Sequence, residues 1–286
     1  LPARGKWSFP DVLKSHSITQ LQGHAETVQR FILMPSSLSE KRQTAVITGG
    51  ARSLGIRISR ALHEAGYRVI ITDISLGAEA EALVSELDPS GETALTAILD
   101  ITKPEDFQSL LDLCIERWGS VEVLVNNAAR TEIQDVLEIE PSVFNEVLAT
   151  NAGGTFSGCQ IFGRYFKHQG YGRLINMASL AGQNGGTGTG AHYAASKGAI
   201  LTLTKIFARD LAPFGVTCNA IAPGPIDTPL VHQVSGGDID RMAANIPVRR
   251  VGQPDFIAQM VVMLAGSDAA FVNGACWDAN GGLYLR

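Results

Sequence analysis

The chain has 286 residues, a net charge of −5, 45% hydrophobic and 18% charged residues, the make-up of a globular protein with a sizeable core and not of a disordered or fibrous one. Without a long Lys/Arg run it lacks the electrostatic footprint for a phosphate backbone or an anionic membrane, so no nucleic-acid or membrane partner is expected and a small molecule is the better guess. Apolar stretches such as 67–72 and 261–265 fall far short of the ~18 residues of a membrane span, and a soluble, cytoplasmic protein is expected.

Cys114, Cys159, Cys218 and Cys276 contain no CxxC pair, so neither a zinc ribbon nor a disulfide framework is expected; they read as small hydrophobes of a reducing compartment. Residues 1–43 mix Pro, Ser, His and Gln and show only short helical patterns. They read as an N-terminal extension, either a poorly ordered tail or non-native sequence upstream of a start at Met34, and without the apolar h-region of a secretory signal.

From Thr44 onward strand-like and helix-like patterns alternate. Thr44 to Thr48 reads as β, Leu54 to Ala65 as helix, Tyr67 to Asp73 as β, Ala78 to Leu87 as helix, Thr93 to Asp100 as β and Pro104 to Trp118 as helix. Val121 to Asn126 follows as β, then a long helical stretch from Val143 to Phe166, β from Arg173 to Met177, a helix from Tyr193 to Leu211, and β at Val216 to Ile221 and Ala275 to Asp278. Strands alternating with helices imply parallel βαβ units, and strands without polar alternation imply helices on both faces. The expected fold is α/β: a Rossmann-type, doubly wound, parallel seven-stranded sheet in a single domain over 44–286.

Between the first strand and first helix lies Thr48-Gly49-Gly50-Ala51-Arg52-Ser53-Leu54-Gly55. Glycines there permit a tight turn and let backbone N–H groups at a helix N-terminus approach a pyrophosphate. Asp73 ends the next strand, 18 residues past Gly55, close to the ~20 at which an acid meets a ribose 2′-hydroxyl; otherwise it is a solvated strand-end acid or a helix cap. Tyr193 and Lys197 are four apart, on one helix face, where an ammonium would lower the phenol's pKa toward a working value. The bland alternative for that pair is a surface tyrosine beside a solvated lysine.

On these motifs, the chain from about Thr44 to Leu285 resembles the short-chain dehydrogenase/reductase family. The family's TGxxxGxG motif appears with Ser53 in place of the middle glycine, and its NNAG motif appears as Asn126-Asn127-Ala128-Ala129. Ser53 is expected to add a hydroxyl that bonds a phosphate or caps the helix. The resemblance implies catalysis by Asn151, Ser179, Tyr193 and Lys197, with Ser179 on the substrate oxygen and Asn151 holding a water that links Lys197 to solvent. It implies cofactor contacts from Gly49, Arg52, Ser53, Leu54, Gly55, Asp73, Asp100, Ile101, Asn127 and Ala128, from Tyr193 and Lys197, and from Pro223, Gly224, Ile226 and Thr228. It also implies a substrate lid near 225–250 and a homotetramer or homodimer.

The expected activity is reversible hydride transfer between NAD(P) and a secondary alcohol or ketone. NAD is the preferred cofactor, because Asp73 would accept from the ribose and repel a 2′-phosphate; NADP is the alternative, favoured by Arg52 unless that side chain points to solvent or pairs with Asp73. A catalytically silent nucleotide-binding scaffold or sensor of the same fold is the main rival, and a methyltransferase the second. No metal is expected, since the six histidines show neither HExxH nor close pairing, and the G-x-S-x-G elbow of a serine hydrolase is absent.

Overall fold

A computed structural model of the protein describes residues 42–186 and 188–286. The extension expected at 1–43 therefore lies almost wholly outside the described residues. In chain order the domain runs β1 (Thr44–Ile47), α1 (Ser53–Glu64), β2 (Arg68–Asp73), α2 (Ala78–Leu87), β3 (Ala94–Ile98), α3 (Pro104–Trp118), β4 (Val123–Asn126), α4 (Pro141–Leu148), α5 (Gly154–Gln169), β5 (Gly172–Met177), α6 (Ala181–Asn184), α7 (Ala191–Leu211), β6 (Val216–Pro223), α8 (Pro229–Val234), α9 (Ile239–Ala244), α10 (Pro254–Ala265) and β7 (Cys276–Ala279). The seven strands form one parallel sheet in the order β3-β2-β1-β4-β5-β6-β7. Chain order reverses between β1 and β4, so a crevice opens beyond the carboxyl ends of those strands.

Alternate residues of each central strand feed two different cores, because a strand's side chains point to opposite faces. Ala45, Ile47, Val69, Ile71 and Val125 pack with Ile58 and Leu62 of α1 and with Ile257, Val261 and Leu264 of α10. Val46, Ile70, Leu124 and Leu174 pack with Phe107 and Leu111 of α3, Phe162 and Phe166 of α5, and Ala208 of α7. Phe107 and Phe162 meet edge to face, with ring centroids 6.4 Å apart. Proline at the first turn of α3, α4, α8 and α10 occupies a position whose N–H would have no helical partner, and Gly119 and Gly170 end α3 and α5 in the left-handed conformation.

Three features depart from the sequence reading. The single helix expected over Val143 to Phe166 is two helices joined by a π-helical turn at Ala149–Gly153. One extra residue in a turn hardly disturbs apolar periodicity, so it leaves little trace in the sequence. Helix α10 was not anticipated; it is apolar on its outer side too, with Phe256 and Met263 exposed, which erases the polar stripe that marks a surface helix. Finally, Arg173 on β5 is buried without an acidic partner among the described residues: its guanidinium donates to the carbonyls of Gly172, Gly215, Gly266 and Ser267 and stacks 4.3 Å from the Tyr171 ring. It ties β5 to the chain ends leaving α10 and entering β6.

Candidate active site

The turn after β1 is shaped by steric necessity. Gly49 has φ +61°, and a Cβ on it would lie 2.8 Å from Ala128 Cα; a Cβ on Gly55 would lie 2.0 Å from Gly49 O. Both positions therefore exclude other side chains, and α1 starts directly against the turn. Ser53 adopts φ +49°, in the left-handed region, which explains the glycine usual there. Of the two roles expected for its hydroxyl, capping of α1 is not adopted: among the described residues the helix has no side-chain cap bond, and its first turn holds no acid. The Gly55 N–H bonds back to Arg52 O at 2.9 Å, and Ser53 and Leu54 at the helix start line the crevice with a favourable dipole for an anion.

The turn is bolted to the β4 loop. Thr48 Oγ1 accepts from the N–H groups of Asn127 at 2.9 Å and Ala128 at 3.0 Å, and Asn127 Nδ2 donates to the carbonyls of Thr48 and Gly49, each at 3.0 Å. Thr48 has no place among the site residues expected from the sequence; its role is visible only once β1 and β4 are neighbours. Ala129, where the related motif has glycine, does not require a positive φ.

At the far end of the crevice Asp73 is buried at 4% exposure and held by Arg52, with Nε 3.1 Å from Oδ2 and Nη2 2.5 Å from Oδ1. The Ile74 N–H also donates to Asp73 Oδ1 at 2.9 Å. Of the alternatives for Arg52, pairing with Asp73 is the one adopted. Asp100 turns back on Thr102, accepting from its N–H at 3.0 Å and its hydroxyl at 2.7 Å, which holds the carboxyl below its ordinary pKa. Ile101 packs on Gly154, where a Cβ would come within 2.8 Å of it.

These groups line a cavity of 670 Å³ that contains Gly49, Arg52, Ser53, Leu54, Gly55, Asp73, Asp100, Ile101, Asn127, Ala128 and Tyr193. A second cavity of 410 Å³ shares Ser53, Leu54, Asn127, Ala129, Tyr193 and Leu230 with the first and adds Ser179, Lys197, Pro223, Gly224, Ile226 and Thr228. Every residue expected to bind cofactor therefore lies on one of two adjoining hollows, with Tyr193 at their junction. Ile74, Leu99, Thr102, Thr131 and Thr150 also line the first hollow and were not anticipated; as ordinary loop and helix residues they carry no motif. Gly224 wedges the β6 turn against the C-terminal segment, its N–H bonded to Ala279 O and its Cα facing Asn280.

Ser179 lies two residues beyond β5 and its Oγ accepts from the Ala181 N–H at 3.1 Å. Lys197 is buried, its Nζ donating to Met177 O at 2.5 Å and lying 5.6 Å from the Tyr193 ring centroid. The expected lowering of the Tyr193 pKa by Lys197 is corrected by this geometry. Burial pushes the phenol above its ordinary value, offset in part by the Ser179 hydroxyl on the same cavity, while burial brings the Lys197 ammonium down to about 8. Low-dielectric surroundings disfavour the charged form of both groups. Asn151, completely buried in the π turn, does not reach either cavity: its Oδ1 accepts from Arg130 N–H at 2.8 Å, and its Nδ2 donates to Arg130 O at 2.8 Å and Ser196 Oγ at 2.9 Å.

The family model described as enoyl-(acyl carrier protein) reductase matches residues 49–284. The chain is a short-chain dehydrogenase/reductase. It is 32% identical over 243 residues to the 3-oxoacyl-(acyl-carrier-protein) reductase FabG of Staphylococcus epidermidis, covering 85% of this chain and 99% of the relative. Among solved structures it is similar to a short chain dehydrogenase from Bacillus anthracis, with TM-score 0.76 and 30% identity over 85% of this chain and 97% of the other. It is similar also to an actinorhodin polyketide ketoreductase variant with NADPH, with TM-score 0.79 and 30% identity over the same shares of the two chains. This short-chain dehydrogenase/reductase is thus an oxidoreductase of CH–OH and ketone groups, and among its described residues no helix is long and apolar enough to cross a membrane.

Proposed function

We propose that the protein interconverts a ketone and a secondary alcohol, with Tyr193 as the group that gives and takes the proton. The observation that carries this reading is the placement of Tyr193 at the junction of the two hollows, on the same cavity wall as Ser179 and followed one turn later by Lys197. A nicotinamide cofactor, when bound, supplies or accepts the hydride. The residues present suit such a group: an uncapped helix N-terminus and a glycine turn for its pyrophosphate, the Arg52–Asp73 pair for its adenosine ribose, and the Pro223-Gly224 turn with Ile226 and Thr228 for its nicotinamide end.

In reduction, the Tyr193 phenol donates its proton to the substrate oxygen while Ser179 orients that oxygen and polarises the carbonyl. A phenol held protonated by burial is already in the state that this direction needs. Lys197 positions the cofactor ribose and offers positive charge beside the forming tyrosinate. Asn151 fixes the loop at Arg130 and joins it to the Tyr193 helix. The substrate enters a pocket walled by Leu180, Val231, Val234, Met242 and Leu283, with Lys197 its one charged lining residue among the described residues, which supports a ketone with an uncharged, apolar body. Residues 225–250, carrying α8 and α9, form the lid.

NAD is the preferred cofactor, because Asp73 is buried and anchored whereas Arg52 is 64% exposed and its charge screened by solvent; the NADPH of the related ketoreductase keeps NADP as the alternative. Exposed Phe156 and Ile206 on α5 and α7, and Phe256, Met263 and Phe271 around α10, support a homodimer or homotetramer, which light scattering measures. Four free cysteines support a reducing, cytoplasmic setting.

The test is ketone-dependent consumption of NADH and NADPH across a series of apolar ketones, with the wild type and Tyr193→Phe. Loss of the placed proton donor lowers kcat by about 10² to 10⁴ while cofactor affinity is retained. A fully active Tyr193→Phe protein overturns the assignment, and absence of cofactor binding favours a silent scaffold.

A further inference from the structure

We propose that Ser196, the residue of the Tyr193–Lys197 turn that has no assigned role, is a positioning residue that locks Asn151 and the acid–base turn in a single register. Ser196 and Asn151 are both fully buried. Ser196 Oγ donates to Tyr193 O at 2.7 Å and accepts from Asn151 Nδ2 at 2.9 Å. The rest of the Asn151 amide closes a two-point pairing with the Arg130 peptide, through Oδ1 to N–H and Nδ2 to O, each at 2.8 Å. A chain of hydrogen bonds therefore runs from the loop after β4, through the π turn at Ala149–Gly153, to the first turn of α7.

The two ends of that chain carry chemistry. Ala129, Arg130 and Thr131 line the larger hollow, and Tyr193 stands at its junction with the smaller one. A serine that merely bonds back to its own helix has only a local effect; here the same hydroxyl also takes the second hydrogen of a buried amide. Without it, that N–H has no acceptor and, at zero exposure, no solvent to replace it. The amide then tilts or the π turn relaxes, and either movement shifts the Arg130 loop against Tyr193. The Arg130 peptide decides which way the Asn151 amide faces, because the reversed amide would set its NH₂ against the Arg130 N–H and its Oδ1 against the Arg130 carbonyl.

This inference rests on Tyr193 as the proton donor, and the experiment separates the two. Ser196→Ala, Ser196→Thr, Asn151→Ala and the Asn151→Ala/Ser196→Ala double variant are compared with the wild type and Tyr193→Phe in steady-state ketone reduction, with cofactor affinity measured by fluorescence titration. Ser196→Ala is expected to lower kcat by about tenfold or more, as a small displacement of a catalytic group does, with cofactor affinity unchanged. Ser196→Thr, which keeps the hydroxyl, restores kcat. On the Asn151→Ala background, Ser196→Ala costs nothing further, since the hydroxyl has lost the group through which it acts. Independent, multiplying losses from Asn151→Ala and Ser196→Ala, or a Ser196→Ala protein with wild-type kcat, overturn the positioning role while an inactive Tyr193→Phe leaves the hydride-transfer reading standing. An active Tyr193→Phe protein overturns both.

Discussion

The Arg52–Asp73 ion pair makes cofactor choice a matter of balance that two single substitutions should tip in opposite directions. Asp73 is buried and Arg52 largely exposed, so the pair is screened unevenly, and an effective dielectric near 40, between the surface and bulk values, is a fair mean. At about 5 Å, one unit charge acting on one charge of a 2′-phosphate is then worth about 1.7 kcal/mol, or roughly 3 kcal/mol for a dianion. In the wild type the acid's repulsion and the guanidinium's attraction largely cancel, so NADH and NADPH dissociation constants should differ by no more than about tenfold. Asp73→Ala removes the repulsion and shifts the NADPH-to-NADH affinity ratio toward NADPH by about 1–3 kcal/mol, roughly 5- to 150-fold. Arg52→Ala exposes the acid and shifts the ratio toward NADH by a similar factor, and the double variant returns near the wild-type ratio. Fluorescence titration with both cofactors measures all four proteins, and the Asp73→Ala preference should weaken at high salt, since its source is an exposed charge. Both single variants shifting the ratio in the same direction would refute the reasoning, as would a ratio that neither changes.

Four further outcomes follow from the geometry. Because burial raises the Tyr193 pKa, ketone reduction at saturating cofactor should hold through neutral pH and fall as pH rises toward that raised value, while alcohol oxidation, which needs tyrosinate, should climb over the same range; parallel pH profiles would contradict this. Cofactor affinity should weaken as pH rises through about 8, where the buried Lys197 loses its charge, and Lys197→Met should abolish that dependence in the same titration. Ser53→Gly relieves a positive φ at position 53 and should stabilise the fold by about 0.5–1 kcal/mol in a denaturant titration, whereas Arg173→Met removes a donor shared by four backbone carbonyls and should cost about 3 kcal/mol.

Much of the architecture was legible because its signals are local. Helices α2 and α3 begin and end where the sequence reading places them; α3 carries proline at its start and glycine at its end, which are stop and start marks that need no tertiary context. The unbroken apolar runs of β2 and β4 announced a sheet covered on both faces. The π turn was not legible. Its cause is tertiary: Ile101 fits against Gly154, and Asn151 reaches Arg130 and Ser196. Likewise the residues of the site could be gathered from the motifs, but their protonation could not. The four-residue spacing of Tyr193 and Lys197 suggested a lowered phenol pKa, and the depth at which both are buried reverses it.

The central claim is that this chain moves a hydride to a ketone carbon with Tyr193 supplying the proton. Its most direct test is mass analysis of the alcohol formed from a ketone the wild type reduces, using NADH deuterated at the transferred C4 position, with the wild type and Tyr193→Phe at equal enzyme concentration. The account predicts one deuterium on the carbinol carbon of the wild-type product and a rate of labelled product about 10² to 10⁴ lower for Tyr193→Phe. Unlabelled alcohol, or labelled alcohol formed equally fast by both proteins, would contradict it.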